Sequence, residues 1–124
     1  MTDDRTTIAQ LRQLVEGFVA ERDWEQFHSP KNLSMSLAIE AAELMEHFQW
    51  LSTEQSRGVS EHPKKLAEVS SELADVLCYG FAMANQLGID LTMAVRDKML
   101  KNEQKYPPDE YHGRFGPDDP QRCQ

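Results

Sequence analysis

The sequence predicts an all-α protein, an antiparallel four-helix bundle, and three observations predict it. Apolar residues recur at helical spacing in four separate stretches, no run alternates as a strand would, and helix-punctuating residues fall between the stretches. In the first stretch, residues 6–22, Ile8, Leu11, Leu14, Val15, Phe18 and Val19 share one face and leave the other wet. Residues 24–31 break the pattern, and Pro30 keeps Ser29 out of helical geometry. A second helix is expected to start near Leu33 and Ser34 and to run to about Leu51. Ser52 or Thr53 suits the cap of a short turn holding Glu54, Gln55 and Ser56. Gly58 and Pro63 mark a loop, and Pro63 fits the first turn of a third helix that reaches about Leu87 and stops at Gly88. Asp90 caps a fourth helix, from Leu91 to about Tyr106, which Pro107 and Pro108 end. The remainder is rich in Gly, Pro and charge. One helical domain over residues 1–107 and a polar, flexible tail over residues 108–124 are therefore expected.

Composition narrows the function classes. A chain of 124 residues holds one core but not two. No apolar run approaches the roughly 20 residues of a membrane span, and the opening Met1-Thr2-Asp3-Asp4 lacks the basic and apolar regions of a secretory signal. Cys78 and Cys123 form neither a disulfide framework nor a metal spacing, so a reduced, cytoplasmic protein is expected. The net charge of −8 argues against coating a nucleic-acid polymer, whose phosphates need a surplus of Lys and Arg. A nucleotide substrate stays open, because a bound divalent cation reverses the local field.

The chemistry is expected where carboxylates stand in apolar company. The second helix reads Leu37-Ala38-Ile39-Glu40-Ala41-Ala42-Glu43-Leu44-Met45, and the third reads Val69-Ser70-Ser71-Glu72-Leu73-Ala74-Asp75-Val76-Leu77. In each, two acids three apart share a face, about 5–6 Å between Cβ atoms. Burying unpaired carboxylates costs several kcal/mol each, roughly, and four together repel one another, so a bundle must protonate them or hold a cation. An all-oxygen set suits Mg²⁺ or Mn²⁺, and no His or Cys stands at zinc spacing. The competing reading of each pair alone is a solvated helix face. Glu46 and Glu68 extend the acidic rows as outer groups or as wet surface, with surface favoured.

The fourth helix offers the complement. Lys98, Asn102 and Lys105 fall at i, i+4 and i+7, either a solvated stripe or, opposite a metal, a clamp for polyphosphate oxygens. Trp24, Phe27 and His28 in the first loop, with Phe48 and Trp50 after the second helix, are either core lids or a stacking surface for a nucleobase.

The ordered set Glu40-x-x-Glu43, a gap of about 28 residues, Glu72-x-x-Asp75, then Lys98-x-x-x-Asn102-x-x-Lys105-Tyr106-Pro107 resembles the MazG-like all-α NTP pyrophosphatases. The segment Phe18-Val19-Ala20-Glu21-Arg22-Asp23-Trp24-Glu25-Gln26-Phe27-His28, with Asn32 and Phe48-Gln49-Trp50, is similar to the dCTP pyrophosphatase branch. The likeness runs from about Ile8 to Pro107. It implies that Glu40, Glu43, Glu72 and Asp75 hold Mg²⁺, that Lys98, Asn102, Lys105 and Tyr106 contact phosphates, and that Trp24, His28 and Trp50 form the base pocket. It further implies a homo-oligomer, a dimer or a tetramer built from two dimers, with sites shared between chains. After Pro107 no motif matches. The implied reaction is Mg²⁺-dependent cleavage of a dNTP, dCTP or a modified dCTP, to dNMP and pyrophosphate, with Glu43 as the base. The alternatives are a broad or dUTP-preferring pyrophosphatase and a non-catalytic helical binding module. A di-iron bundle is disfavoured, since Glu43 and His47 are four apart and no second pair exists.

Overall fold

The computed structural model describes residues 1–114. Among them are six α-helices and no strand: α1 (Ile8–Glu21), α2 (Pro30–Glu46), α3 (Thr53–Arg57), α4 (Pro63–Leu87), α5 (Leu91–Lys105) and α6 (Pro108–Tyr111). Single 3₁₀ turns, Glu25–Phe27 and Val59–Glu61, precede α2 and α4. The chain divides into two compact units, Met1–Ile89 and Asp90–Gln124, the second described as far as Arg114. From residue 115 the expected tail, Cys123 included, lies outside the described residues. No helix among the described residues is long and apolar enough to cross a membrane.

In the first unit α1 opens with a capping box. Thr7 Oγ1 accepts from the Gln10 N–H at 3.1 Å, and Gln10 Oε1 accepts from the Thr7 N–H at 2.8 Å. The second helix departs from its expected bounds at both ends. It starts at Pro30, because Ser29 is extended (ψ 151°) and its hydroxyl accepts from the Asn32 N–H at 3.1 Å. Pro30 thereby sits at the first helical position, where its missing N–H costs nothing. The same helix stops at Glu46 rather than near Leu51. A second capping box, Ser52 with Gln55, starts α3 and needs Ser52 extended (ψ 164°), so tight turns over His47–Leu51 replace the last helical turn. α4 spans its expected range, and Gly88 ends it with φ 63°, a left-handed conformation that glycine adopts without a Cβ clash.

α4 packs against both α1 and α2. The buried hydrophobic side chains among the described residues are few: Val19, Leu33, Val59, Ala82 and Ala84. Alanines on α4 let its neighbours approach closely. Polar ties supplement them, with Arg12 Nε donating to Asn85 Oδ1 and Asn85 Nδ2 donating to the Arg12 carbonyl, both at 3.1 Å. Much apolar surface stays outside this core. Ile39 on α2 and Leu77 on α4 are 58% and 52% exposed, and Met35, Met45, Leu66 and Leu73 extend their rows.

In the second unit Asp90 caps α5, its Oδ1 accepting from the Met93 N–H at 2.9 Å. α6 returns Tyr111 onto Tyr106, the rings edge-to-face with centroids 5.1 Å apart.

Leu33 is 1% exposed and is the largest fully buried side chain. Leu33→Ala is expected to cost about 2–5 kcal/mol, by transfer and cavity terms together. Chemical denaturation checks this, and a loss below about 1 kcal/mol would show that the packing at α2's first turn relaxes freely.

Candidate functional site

The site is built on α2 and α4, whose small and apolar neighbours press their acidic faces together. Glu40, Glu43 and Glu72 each offer a carboxylate oxygen, and those oxygens lie within 4.8 Å of one another. Glu72's side chain is 24% exposed. One oxygen of Glu40 and one of Glu72, Oε2 in both, are buried with no hydrogen-bond partner in the protein. A buried acceptor without a donor is costly. The surroundings of Glu40 favour its protonated form, pushing its pKa from an ordinary 4.5 up to about 7. Burial is the main cause, followed by hydrogen bonding with and repulsion from Glu43, then the charges of Asp75 and Glu72.

What this cluster lacks is positive charge. Its donors are all carboxylate oxygens, and two of them have nothing else to bind, which fits a hard divalent cation. Asp75 stands one turn beyond Glu72. It adds its charge to Glu40's surroundings and lines a cavity that opens beside the cluster.

That cavity, of about 350 Å³, is bounded by Leu14, Val15, Phe18 and Val19 of α1, by Trp24 and His28 of the loop, and by Asp75, Cys78, Tyr79 and Ala82 of α4. Local geometry places Trp24. Asp23 takes φ 52° after the end of α1, its N–H bonds the Ala20 carbonyl at 3.1 Å, and the Trp24 N–H bonds the Val19 carbonyl at 3.1 Å. This is the Schellman closure with Asp where Gly is usual, and it folds Trp24 back over the helix. The Trp24 ring meets Phe18 edge-on, with centroids 5.7 Å apart, and the Arg22 guanidinium covers Phe18 at 3.7 Å. Asn32 Nδ2 donates to the Phe27 carbonyl at 3.1 Å and holds the loop, and so His28, against α2. Burial, and then the charge of Asp75, push the Cys78 thiol above its usual range, and its side chain forms part of the cavity wall.

The structure thus brings Glu40, Glu43 and Glu72 together, and gathers Trp24 and His28 with Asp75 around one cavity. Trp50 stands apart: it is 87% exposed and lies outside the cavity lining. Lys98, Asn102, Lys105 and Tyr106 belong to the second unit. There the Tyr106 N–H closes α5 on the Asn102 carbonyl at 2.8 Å, and the Lys105 ammonium lies 5.3 Å from the Tyr106 ring centre.

Sequence reasoning missed Tyr79 and Cys78 as cavity walls. Their spacing of three and four from Asp75, with Ala82 at seven, was the available signal. It also missed His47, whose Nε2 lies 3.8 Å from Glu72 Oε1. Of the outer acids, Glu68 pairs with Lys65 and His47 at 3.9 Å, while Glu46 is exposed.

Comparison with known proteins follows the same lines. A model of the MazG-like family matches residues 35–114. dCTP pyrophosphatase 1 of Rattus norvegicus is 46% identical over 101 residues, covering 82% of this chain and 59% of that protein. Its Homo sapiens counterpart is 43% identical over 101 residues, with the same coverage of each chain. This chain therefore spans under two thirds of the length of these relatives. A crystal structure of a pyrophosphatase from Archaeoglobus fulgidus DSM 4304 superposes with a TM-score of 0.75 at 39% identity, over 86% of this chain and 98% of that one.

The raised Glu40 pKa has a stability consequence. A carboxyl whose folded pKa exceeds its unfolded value stabilises the fold below the unfolded value, and that contribution is lost as pH rises through the folded one. Without divalent cation, the melting temperature should fall between pH 4.5 and about 7. Glu40→Gln should flatten that fall, and added Mg²⁺ should raise the melting temperature most above pH 7. Thermal melts in EDTA across this range check it; matching slopes for wild type and Glu40→Gln would show that Glu40 is not the group under stress.

Proposed function

The chain belongs to the MazG-like family, and on that premise we propose that it is a nucleoside triphosphate pyrophosphohydrolase that uses Mg²⁺, or Mn²⁺ in its place. It converts dCTP-type nucleotides to monophosphate and pyrophosphate and keeps unwanted nucleotides out of the polymerase pool. The observation that carries this reading is the cavity lined by Trp24 and His28 beside three converging carboxylates with orphaned oxygens. One face offers a stacking surface for a base, and the other a cation site for phosphates. The identity to dCTP pyrophosphatase 1 supports the substrate class.

Glu40, Glu43, Glu72 and Asp75 would hold the cation, which would supply neutralisation of phosphate charge and a more acidic water. Trp24 stacks on the base, and His28 hydrogen-bonds its edge. Lys98, Asn102, Lys105 and Tyr106 meet the non-bridging oxygens of the phosphate chain and the charge that develops on the leaving pyrophosphate. Glu43 accepts the proton of a water whose oxygen attacks the α-phosphorus in line. The bond from that phosphorus to the α–β bridging oxygen breaks, releasing pyrophosphate. Residues 1–107 carry these roles.

The chain is an antiparallel four-helix bundle that acts as a homo-oligomer, a dimer or a dimer of dimers. The exposed apolar rows of α2 and α4 support this, because such faces are costly in water. Trp50, solvent-exposed within one chain, then completes the base pocket of a neighbouring chain.

Pyrophosphate release from a panel of canonical and 5-modified dNTPs should require Mg²⁺, stop with EDTA and rank dCTP-type substrates first. Glu43→Gln should lower kcat by about 10²–10⁴-fold. Trp24→Ala should lose about 1–3 kcal/mol of base binding and appear mainly in KM. Even release over all bases would demote Trp24 and His28 from selecting the base to covering it. A folded protein that binds the cation yet releases pyrophosphate from no nucleotide would instead be a binding module.

A further inference from the structure

We infer that His47, held by Lys65, is a positioning residue that aims Glu72 at the cation site. The inference rests on the divalent-cation reading of the carboxylate cluster. Lys65 in the first turn of α4 places its Nζ 3.1 Å from His47 Nδ1, at the C-terminal end of α2. A lysine ammonium has only protons to donate, so Nδ1 is the acceptor and the imidazole carries its proton on Nε2. The hydrogen-bond network thus assigns the tautomer. The Nε2–H faces Glu72 Oε1 at 3.8 Å. That is long for a hydrogen bond but close enough for the N–H dipole to favour one oxygen over the other. Glu68 completes the frame, its Oε2 3.9 Å from both Lys65 Nζ and His47 Nδ1.

The consequence falls on the two oxygens of Glu72. Oε1 is turned to His47, while Oε2 is the buried oxygen without a protein partner. A side chain held on one oxygen presents the other in a fixed direction, which lowers the ordering cost of binding a cation. His47 does not touch the cation. It acts through Glu72, and Lys65 acts through His47. The chain Lys65–His47–Glu72 links the first turn of α4, the end of α2 and the middle of α4.

The test is direct titration of the full-length protein with Mn²⁺, reading free Mn²⁺ by electron paramagnetic resonance, beside thermal melts in EDTA. His47→Leu keeps bulk and removes both nitrogens. It should weaken Mn²⁺ binding about 10-fold or more, within the usual range for residues that orient a ligand. His47→Gln, with an amide N–H near the Nε2 position, should recover most of the affinity. Lys65→Met, which leaves the imidazole in place but releases its tautomer, should weaken binding in the same direction. At saturating Mg²⁺ the His47→Leu enzyme should keep its kcat while needing more Mg²⁺ to reach half of it. Affinities for both His47→Leu and Lys65→Met within about twofold of wild type would overturn the inference. So would a loss in His47→Leu that His47→Gln does not relieve. If wild type itself bound no Mn²⁺, the cation reading would fail first and this inference with it.

Discussion

Three carboxylates crowded where α2 meets α4 are the constraint around which the rest of the first unit is arranged. Like charges within 4.8 Å of one another, with two oxygens buried and unpartnered, oppose folding unless a proton or a cation relieves them. The packing that surrounds them supplies the opposing force. α2 packs along α4, and Leu33 on α2 with Ala82 and Ala84 on α4 are among the buried residues of the unit. The upward push on the Glu40 pKa has the same origin, burial together with the neighbouring carboxylates. Such stress on a functional cluster is expected where binding, and not folding, is the purpose of the burial.

The site stands on helices and is finished by one loop. Carboxylates on α2 and α4 inherit the rigidity of the helix pair, as the aim of an oxygen at a cation demands. The aromatic wall of the cavity comes from the turn after α1. There a left-handed Asp23 and two backbone hydrogen bonds fold Trp24 onto Phe18. Asp75 belongs to both parts, since its charge bears on Glu40 and its side chain lines the cavity. A nucleotide spanning the two would place its base on aromatic surface and its phosphates on the acidic face. This division matches the proposed chemistry. The few buried side chains and the apolar rows left outside are the features on which the proposed homo-oligomer rests.

Periodicity and punctuation made the elements legible in the sequence: every long helix was expected, and α4 took its expected range from Pro63 to Leu87. The bounds of α2 were misjudged at both ends because caps decided them. Ser29 and Pro30 form a start signal that reads as a break when Pro is weighed as a breaker alone, and the Ser52 capping box claimed residues that apolar spacing had given to the helix. The acid pairs were legible for the same local reason, since a three-residue spacing fixes a common face on any helix.

The sequence by itself therefore determined the all-α class, the helices in order, and the pairing of acids within each helix, because these depend on spacing along one chain. Only the tertiary structure decided which acids meet across two helices. It placed Glu40, Glu43 and Glu72 within reach of one another and turned Asp75 to the cavity. It also set His47 beside Glu72, with Lys65 against His47, and left Trp50 in solvent. The reason is physical. The rotation of a helix about its axis and its distance from a neighbour are fixed by buried contacts far apart in sequence, and no local pattern encodes them.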